Sequence, residues 1–378
     1  MEILKSHNHS IRVEDDKLFD GEKEIKGEVD GAGMVIPFTP LDKGYDIARA
    51  IYRNFLTLPF ENMLVLSGSG TSISSGGKTM QGLWEEIFTP ASKTEDDDFF
   101  KEINFVDASQ KNLEALLSQA IRASDVLDST KSKAILARVK IIKDKIAASC
   151  KLVLSKDSPH LSFINKITSR KLKYPRAKIF TLNYDTLFEQ AATSGNLSVI
   201  NGFSFSTPSY FNGIFFDYDI VNREDSRVNS GENFVERVFH LYKPHGSVNW
   251  EKNDERTIIN PNTENPHMIY PNANKYEYGY DQPFFEMTSR FQKEIRRPNT
   301  LLVCVGFSFK DKNFKNAILE AVKSNPGLNL FIAIPNFESK TEVADFLDLS
   351  TQQRNVLIVN ESFEELVKNY PFSQEYGD

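Results

Sequence analysis

The chain has 378 residues and a net charge of −7, from 45 basic and 52 acidic side chains, with 40% hydrophobic and 26% charged residues. That balance belongs to a globular chain with room for one large domain or two ordinary ones, and the acidic surplus excludes indiscriminate binding to a phosphate backbone. No apolar run approaches the ~18 residues of a spanning helix, MEILKSHNHSIRVEDD lacks the apolar core of a secretion signal, and Cys150 and Cys304 are too few for a structural zinc ribbon. A cytoplasmic protein without a membrane partner is expected.

In chain order, residues 1–42 form an N-terminal extension in which SIRVEDDKLFDGEKEIKG alternates around Asp20-Gly21, a hairpin signal. A single domain is expected over 43–378. It opens with GYDIARAIYRNFLTL, an amphipathic helix that leads into the strand MLVL. After Trp84 an acidic break, KTEDDDFF, precedes KNLEALLSQAIRASDVL and a long helical stretch from about Lys131 to Leu154. Residues from about 90 to 172 therefore read as a mostly helical insertion, whose last helix starts at Ser158-Pro159 because proline suits the first helical turn. Within it, KSKAILARVKIIKDK spaces its positive groups through an apolar helical pattern, the sign of a solvated helix face and no strong signal for nucleic acid. From there strands and helices alternate. AKIFTL leads to the helix YDTLFEQAA, VFHLYK to a loop-rich aromatic region from His245 to Phe284, and FEMTSRFQKEIRR is a helix. NTLLVCVGF, LNLFIAIPN and NVLIVN are strands, and FEELVKN is the closing helix. Short apolar runs alternating with helices predict an α/β fold: a Rossmann-like, mostly parallel sheet covered on both faces.

The stretch LVLSGSGTSISSGGKTMQGLW, from Leu64, admits two readings as a phosphate-gripping loop. Gly77-Lys78-Thr79 resembles the end of a Walker A loop, but Ser72 stands where that motif needs its first glycine. Neither LLVCVGFSF nor LFIAIPN ends in the aspartate that a P-loop enzyme uses for its metal. Gly68-Ser69-Gly70 fits better as the first turn of a dinucleotide fold: Gly68 just after a strand, Gly70 for close backbone approach to a pyrophosphate, and Thr71 and Ser72 as hydroxyl donors. Other polar motifs also stand at carboxyl ends of strands, where open α/β sheets bind ligands. FTLNYDTLFE offers Asn183 and Asp185, YKPHGSVNW offers His245, and VCVGFSFKD offers Gly306 and Ser308. Each has an ordinary structural role available: a helix N-cap for Asp185, a loop histidine for His245, a strand-end turn for Gly306.

The ordered set GSGTS, NYD, HGS and GFS resembles the sirtuin-like superfamily, in particular its bacterial members that consume NAD+ in anti-phage defence. The resemblance runs from about residue 60 to 378, apart from the insertion. It implies that Gly68, Ser69, Gly70, Thr71 and Ser72 form the phosphate loop, that Asp185 meets the nicotinamide carboxamide, and that Gly306 and Ser308 meet phosphates and ribose. Asn336, ending LFIAIPN, corresponds to an asparagine at the adenosine ribose. Asn183 and His245 are the implied catalytic pair: Asn183 aligns the ribose or a water, and His245 acts as base. Deacylating sirtuins carry a four-cysteine zinc module, an Asp-Phe-Arg segment after the glycine loop and a peptide-pairing segment after the histidine, and none of these is present here. The expected activity is therefore hydrolysis of NAD+ to nicotinamide and ADP-ribose without a metal. The alternative is a non-catalytic NAD or ADP-ribose sensor or structural subunit of a defence complex, against which the presence of both Asn183 and His245 counts, and a protein deacylase ranks below it. A homo-oligomer working with a separate HerA-type ATPase is the implied partnership.

Overall fold

A computed structural model describes residues 1–27, 36–89, 93–222, 233–254, 256–270 and 281–372. Parts of the expected N-terminal extension (28–35), insertion (90–92), aromatic loop region (271–280) and chain end (373–378) lie outside the described residues.

The alternating N-terminal residues fold as an antiparallel meander of β1 (Glu2–Ser6), β2 (Ser10–Glu14), β3 (Lys17–Asp20) and β4 (Lys23–Ile25). Gly21, at φ +59°, makes the last turn at the expected Asp20-Gly21 position. Helix α1 (Pro40–Leu56) begins with proline in its first turn and buries Gly44, Ala48, Tyr52 and Leu56, one side of the helix at a spacing of four. A side chain at Gly44 would collide with Ile3 and Leu18, so glycine lets the helix lie directly on the meander.

Strand β5 (Asn62–Ser67) follows, buried along its whole length. Helices α2 (Met80–Ile87), α3 (Lys93–Glu102), α4 (Leu113–Val126) and α5 (Ser129–Ser149) then gather around a cluster of their own, including Trp84, Phe100, Leu117, Val139 and Ile146. Helix α6 (His160–Thr168) instead buries Phe163, Ile164 and Ile167 in the cluster beneath the sheet.

The remaining elements are β6 (Lys178–Thr181), α7 (Leu187–Ser194), β7 (Ser198–Ile200), β8 (Val238–Tyr242), β9 (Trp250–Asn253), β10 (Arg256–Ile259), α8 (Phe284–Glu294), β11 (Thr300–Val305), α9 (Lys312–Ser324), β12 (Leu328–Ala333), α10 (Ala344–Gln352), β13 (Val356–Val359) and α11 (Phe363–Asn369). Among the described residues, eleven strands form one sheet in the order β4-β3-β2-β1-β13-β12-β11-β5-β6-β8-β7, and β9 and β10 pair separately. From β13 to β7 every pairing is parallel; β1 joins β13 antiparallel, with Leu4 opposite Val359. The fold is thus the expected α/β, mostly parallel sheet. Residues on one face pack against α1, α6, α7 and α11, and those on the other against α8, α9 and α10. Residues Val359, Ala333, Val305, Ser67 and Thr181 sit at one level across the central strands, so their following loops emerge along one edge. Among the described residues, no helix is long and apolar enough to cross a membrane.

Two buried histidines, His160 and His240, and the half-buried His267 make the fold acid-sensitive. Burial, the largest cause in each case, pushes His160 and His267 down to about 4 and His240 down to about 3. Each is neutral in the fold but takes up a proton near pH ~6.5 once unfolded, so the unfolded chain binds more protons below that pH. The stabilisation is complete above pH ~6.5 and is lost as pH falls toward the folded values, by up to about 1.4 kcal/mol per pH unit for each histidine. Thermal melts are expected to give a level Tm from pH 8 to 7 and a steep fall between pH 6 and 4.5; a level Tm down to pH 5 would contradict neutral burial.

Candidate functional site

The sheet changes its direction of winding between β5 and β11: the chain leaves β5 for its neighbour β6, and β11, on the other side, belongs to a later pass. Such a switch point opens a crevice beyond the strand ends. Here the two loops that flank it touch backbone to backbone. Gly68 donates its N–H to the Val305 carbonyl (3.2 Å) and Gly70 donates to that of Gly306 (2.9 Å). A Cβ on Gly68 would lie 2.7 Å from the Gly306 oxygen, and one on Gly70 would lie 2.6 Å from the Gly306 Cα. Gly306 itself holds φ +60°, and its Cβ would lie 2.5 Å from the Thr71 nitrogen. The Gly70 N–H therefore serves the neighbouring loop in this structure, where the sequence suggested a role toward pyrophosphate.

After Gly68 the chain forms a 3₁₀ segment, Ser69–Ser75, closed by Gly76 at φ +84°. Ser69 is exposed, while Thr71 and Ser72 are buried. On the β11 side, Phe307 and Phe309 are buried and Ser308 between them is exposed. Phe309 holds φ +60°, uncommon for a bulky side chain, and its ring packs between Phe307 and Phe346. In Gly77-Lys78-Thr79, the Gly77 N–H donates to the Ser72 carbonyl (2.8 Å), and the next two side chains turn to α2. Lys78 pairs with Glu86 (2.7 Å), and the Thr79 hydroxyl caps α2 by accepting from Gly82 N–H (3.2 Å).

The loop after β6 is tied to the glycine loop by side chains. The Asn183 amide nitrogen lies within hydrogen-bond distance of the Gly68 carbonyl (3.0 Å), Thr71 Oγ1 (3.1 Å) and Ser72 Oγ (2.8 Å). A backbone carbonyl can only accept, so Gly68 fixes which end of the amide faces the loop and leaves Oδ1 as the other end. Ser72 in turn donates to Asp185 Oδ2 (2.7 Å), and Asp185 Oδ1 accepts from the Leu187 N–H at the start of α7 (3.1 Å). Asp185 is thus a buried latch between glycine loop and helix, with both oxygens engaged.

The loop after β8 is fixed by Lys243, a residue whose role the sequence did not disclose. Its side chain is 2% exposed, and its ammonium donates to the Asp185 carbonyl, to Ser247 Oγ (2.7 Å) and to Glu189 Oε1 (3.1 Å). Val248 N–H donates to the Tyr184 carbonyl (2.9 Å), so the segments around Asn183 and His245 form one unit. His245 is half-buried; its Nε2 lies 3.3 Å from Asp311 Oδ2, at the N-cap of α9. Asn336, exposed at φ +53° after β12, lies on the same sheet edge two strands from β5. The structure therefore brings Gly68, Gly70, Thr71, Ser72, Asn183, Asp185 and Gly306 into direct contact, with His245 joined through Lys243 and Asn336 farther along the edge. The end of α5 reaches this unit: Ala147 and Cys150 pack with Tyr184, Val248 and Met268. Cys150 is no nucleophile there, because burial, with the Asp185 charge second, pushes its thiol up to about 12.

The glycine contact can be tested by two substitutions. Gly70→Ala places a methyl against backbone and is expected to lower unfolding free energy by about 3 kcal/mol. Gly76→Ala meets only an unfavourable φ in open space and should lose about 1 kcal/mol. Denaturant titration that finds the two alike would rule out a rigid junction.

Comparison with known proteins adds one family. Residues 177–359 match the family model described as SIR2-like domain. That span includes Asn183, Asp185, His245, Gly306, Ser308 and Asn336; the glycine loop precedes it. No curated protein matches the chain significantly. Over 177–359 the chain is similar to a SIR2-like domain, a match that supports a sirtuin-like superfamily and agrees with the α/β fold.

Proposed function

We propose that the chain is an NAD+ glycohydrolase that cleaves NAD+ to nicotinamide and ADP-ribose, with Asn183 and His245 as its catalytic residues. The observation that carries this is the bonded unit at the switch point, in which Asn183 is pinned to the glycine loop and Lys243 clamps its segment to the one bearing His245. The glycosidic bond between C1′ and the ring nitrogen breaks with its electron pair going to the ring, so the cationic nicotinamide leaves neutral and the sugar becomes oxocarbenium-like. Water then bonds to C1′ and gives up a proton. Such a reaction needs orientation and a proton acceptor. Asn183 Oδ1 is available to align a ribose hydroxyl or the water, and His245 takes the proton. Ser69, Ser308 and Asn336 face the substrate's phosphates and ribose, while Asp185 holds the loop that bears Ser69 and turns the carboxamide. Burial of Cys150 and Cys304 disfavours a covalent thiol route and supports water as the acceptor.

The resemblance supports a setting for this activity: depletion of NAD+ during phage infection, by a homo-oligomer restrained or released by a HerA-type ATPase. The helices α2–α5 and the N-terminal meander, which flank the sheet core, are the surfaces proposed for those contacts.

Purified chain, alone or with a co-expressed ATPase partner, is expected to release nicotinamide and ADP-ribose in equal amounts. His245→Ala should lower the rate about 10²–10⁴-fold. Asn183→Ala should lose activity to a similar extent and also lower Tm, since the glycine loop loses the amide that bridges its oxygens. Parent-level turnover by His245→Ala would remove the histidine from the mechanism.

A further inference from the structure

We propose that Asn360 is the positioning residue for Asn336, and that it roots the adenosine end of the site in the N-terminal strand β1. Its functional meaning rests on the reading of Asn336 as a contact of the substrate's ribose, but the linkage itself stands on hydrogen bonds. Strands β1, β13 and β12 lie side by side, with Leu4, Val359 and Ala333 at one level. Asn360 is the first residue after β13, the middle strand of the three, so its side chain is within reach of either neighbour. It bonds to both. Asn360 Oδ1 accepts from the Asn336 backbone N–H (2.8 Å), and Nδ2 donates to the Glu2 carbonyl (3.1 Å). A backbone N–H only donates and a carbonyl only accepts, so these partners fix which end of the amide faces which strand. The backbone of Asn360 is held as well: its N–H donates to the Ile3 carbonyl (2.9 Å), and its carbonyl accepts from the Tyr45 phenol (3.2 Å). The residue is buried.

Asn336 is the opposite case, with a fixed backbone and an open side chain. It stands at φ +53° and ψ +42°, the left-handed region that asparagine enters more readily than most residues. Its N–H is taken by Asn360, and its carbonyl accepts from the Ser339 N–H (3.2 Å) and the Ser339 hydroxyl (2.9 Å). The exposed side chain makes no hydrogen bond among the described residues. Two residues on, in the 3₁₀ turn Phe337–Ser339, the Glu338 carboxylate accepts from the Glu2 N–H. Glu2 therefore holds this turn twice, through Asn360 and through Glu338. Removing the acceptor at Asn360 leaves the Asn336 N–H unmatched and lets the turn relax, and the Asn336 amide swings away from the ligand edge. The adenosine end lies far from the glycosidic bond that breaks, and its contacts are shared by ground and transition states. Their loss is felt in KM and leaves kcat in place.

The test is a double-mutant cycle on the full-length chain, read as KM and kcat for nicotinamide release and as the Kd of ADP-ribose by calorimetry. Asn336→Gly keeps the left-handed turn and removes the side chain. Asn360→Ala removes the hold on the turn. Each should raise KM and the ADP-ribose Kd about tenfold, with kcat within about twofold of the parent. The double variant should bind no more weakly than the weaker single one, because Asn360 acts through Asn336. Additive losses overturn the proposal even where the parent cleaves NAD+, and so does parent-level ADP-ribose affinity in either single variant. A non-additive cycle in Kd, with a parent that releases no nicotinamide, upholds the linkage and sinks the glycohydrolase reading. If Asn360→Ala does not fold, amide exchange of the parent decides: ADP-ribose should slow exchange at Asn336 and Glu2 together, and unchanged rates at both overturn the proposal.

Discussion

The backbone contact between Gly68-Ser69-Gly70 and Gly306 is the constraint on which the rest of the site depends. Strands β5 and β11 run parallel and in register to Ser67 and Val305, so their loops leave the sheet side by side. Any side chain at Gly68, Gly70 or Gly306 would fall within 2.7 Å of the opposing backbone. The closeness of the loops starts the 3₁₀ turn that buries Thr71 and Ser72. Those two hydroxyls, with the Gly68 carbonyl, are what Asn183 binds. A shift of the glycine junction would therefore reach Asn183 within one hydrogen bond and Asp185 within two.

A second constraint, the buried Lys243, carries this order across to β8. A buried ammonium is tolerated only when its hydrogens are matched by acceptors, and the Asp185 carbonyl, Glu189 and Ser247 supply them. All three lie on the segments that carry the catalytic candidates or adjoin them. The charge thus acts as a cross-brace, and replacing it with an apolar group would leave the Asp185 carbonyl and Glu189 without their donor. The α5 end packs on the same brace through Cys150 and Tyr184, which gives the helical cluster α2–α5 a physical route to the site.

Much of this was legible in the sequence, and what was not has identifiable causes. Strands such as NMLVLS and TLLVCV are apolar throughout because both faces are covered, and polar motifs at their ends stand out for that reason. The three-residue β7 is too short to carry a period, and the β9–β10 pair lies in a stretch whose aromatics mask alternation. The hairpin at Asp20-Gly21 could be read locally, yet its attachment through β1 to β13 could not, because nothing in either strand specifies its partner at a distance. Lys243 and Asp311 were hidden for the same reason. Each looks ordinary in its own segment, a lysine ending VFHLYK and an N-cap before NFKNAIL, and acquires meaning only from the loop that folding brings opposite. A lysine closing an otherwise buried strand was the one available signal.

The polar groups at the junction satisfy one another in a chain from Asn183 to Ser72 to Asp185 to the first turn of α7. That arrangement separates holding from meeting. Groups inside the chain set geometry, and an incoming dinucleotide would have to break their bonds to use them, at a loss of about 1–3 kcal/mol for each buried partner left unmatched. Groups outside it carry no such penalty: Ser69, Ser308 and Asn336 are exposed along the same sheet edge, and Asn183 turns its carbonyl oxygen away from the loop. On the proposed function, substrate contact belongs to the outer groups, and Asp185, although central in the motif, contributes first by keeping the glycine loop and α7 in one piece. It can be both a helix cap and a functional residue, since the cap is what holds the loop that the ligand meets.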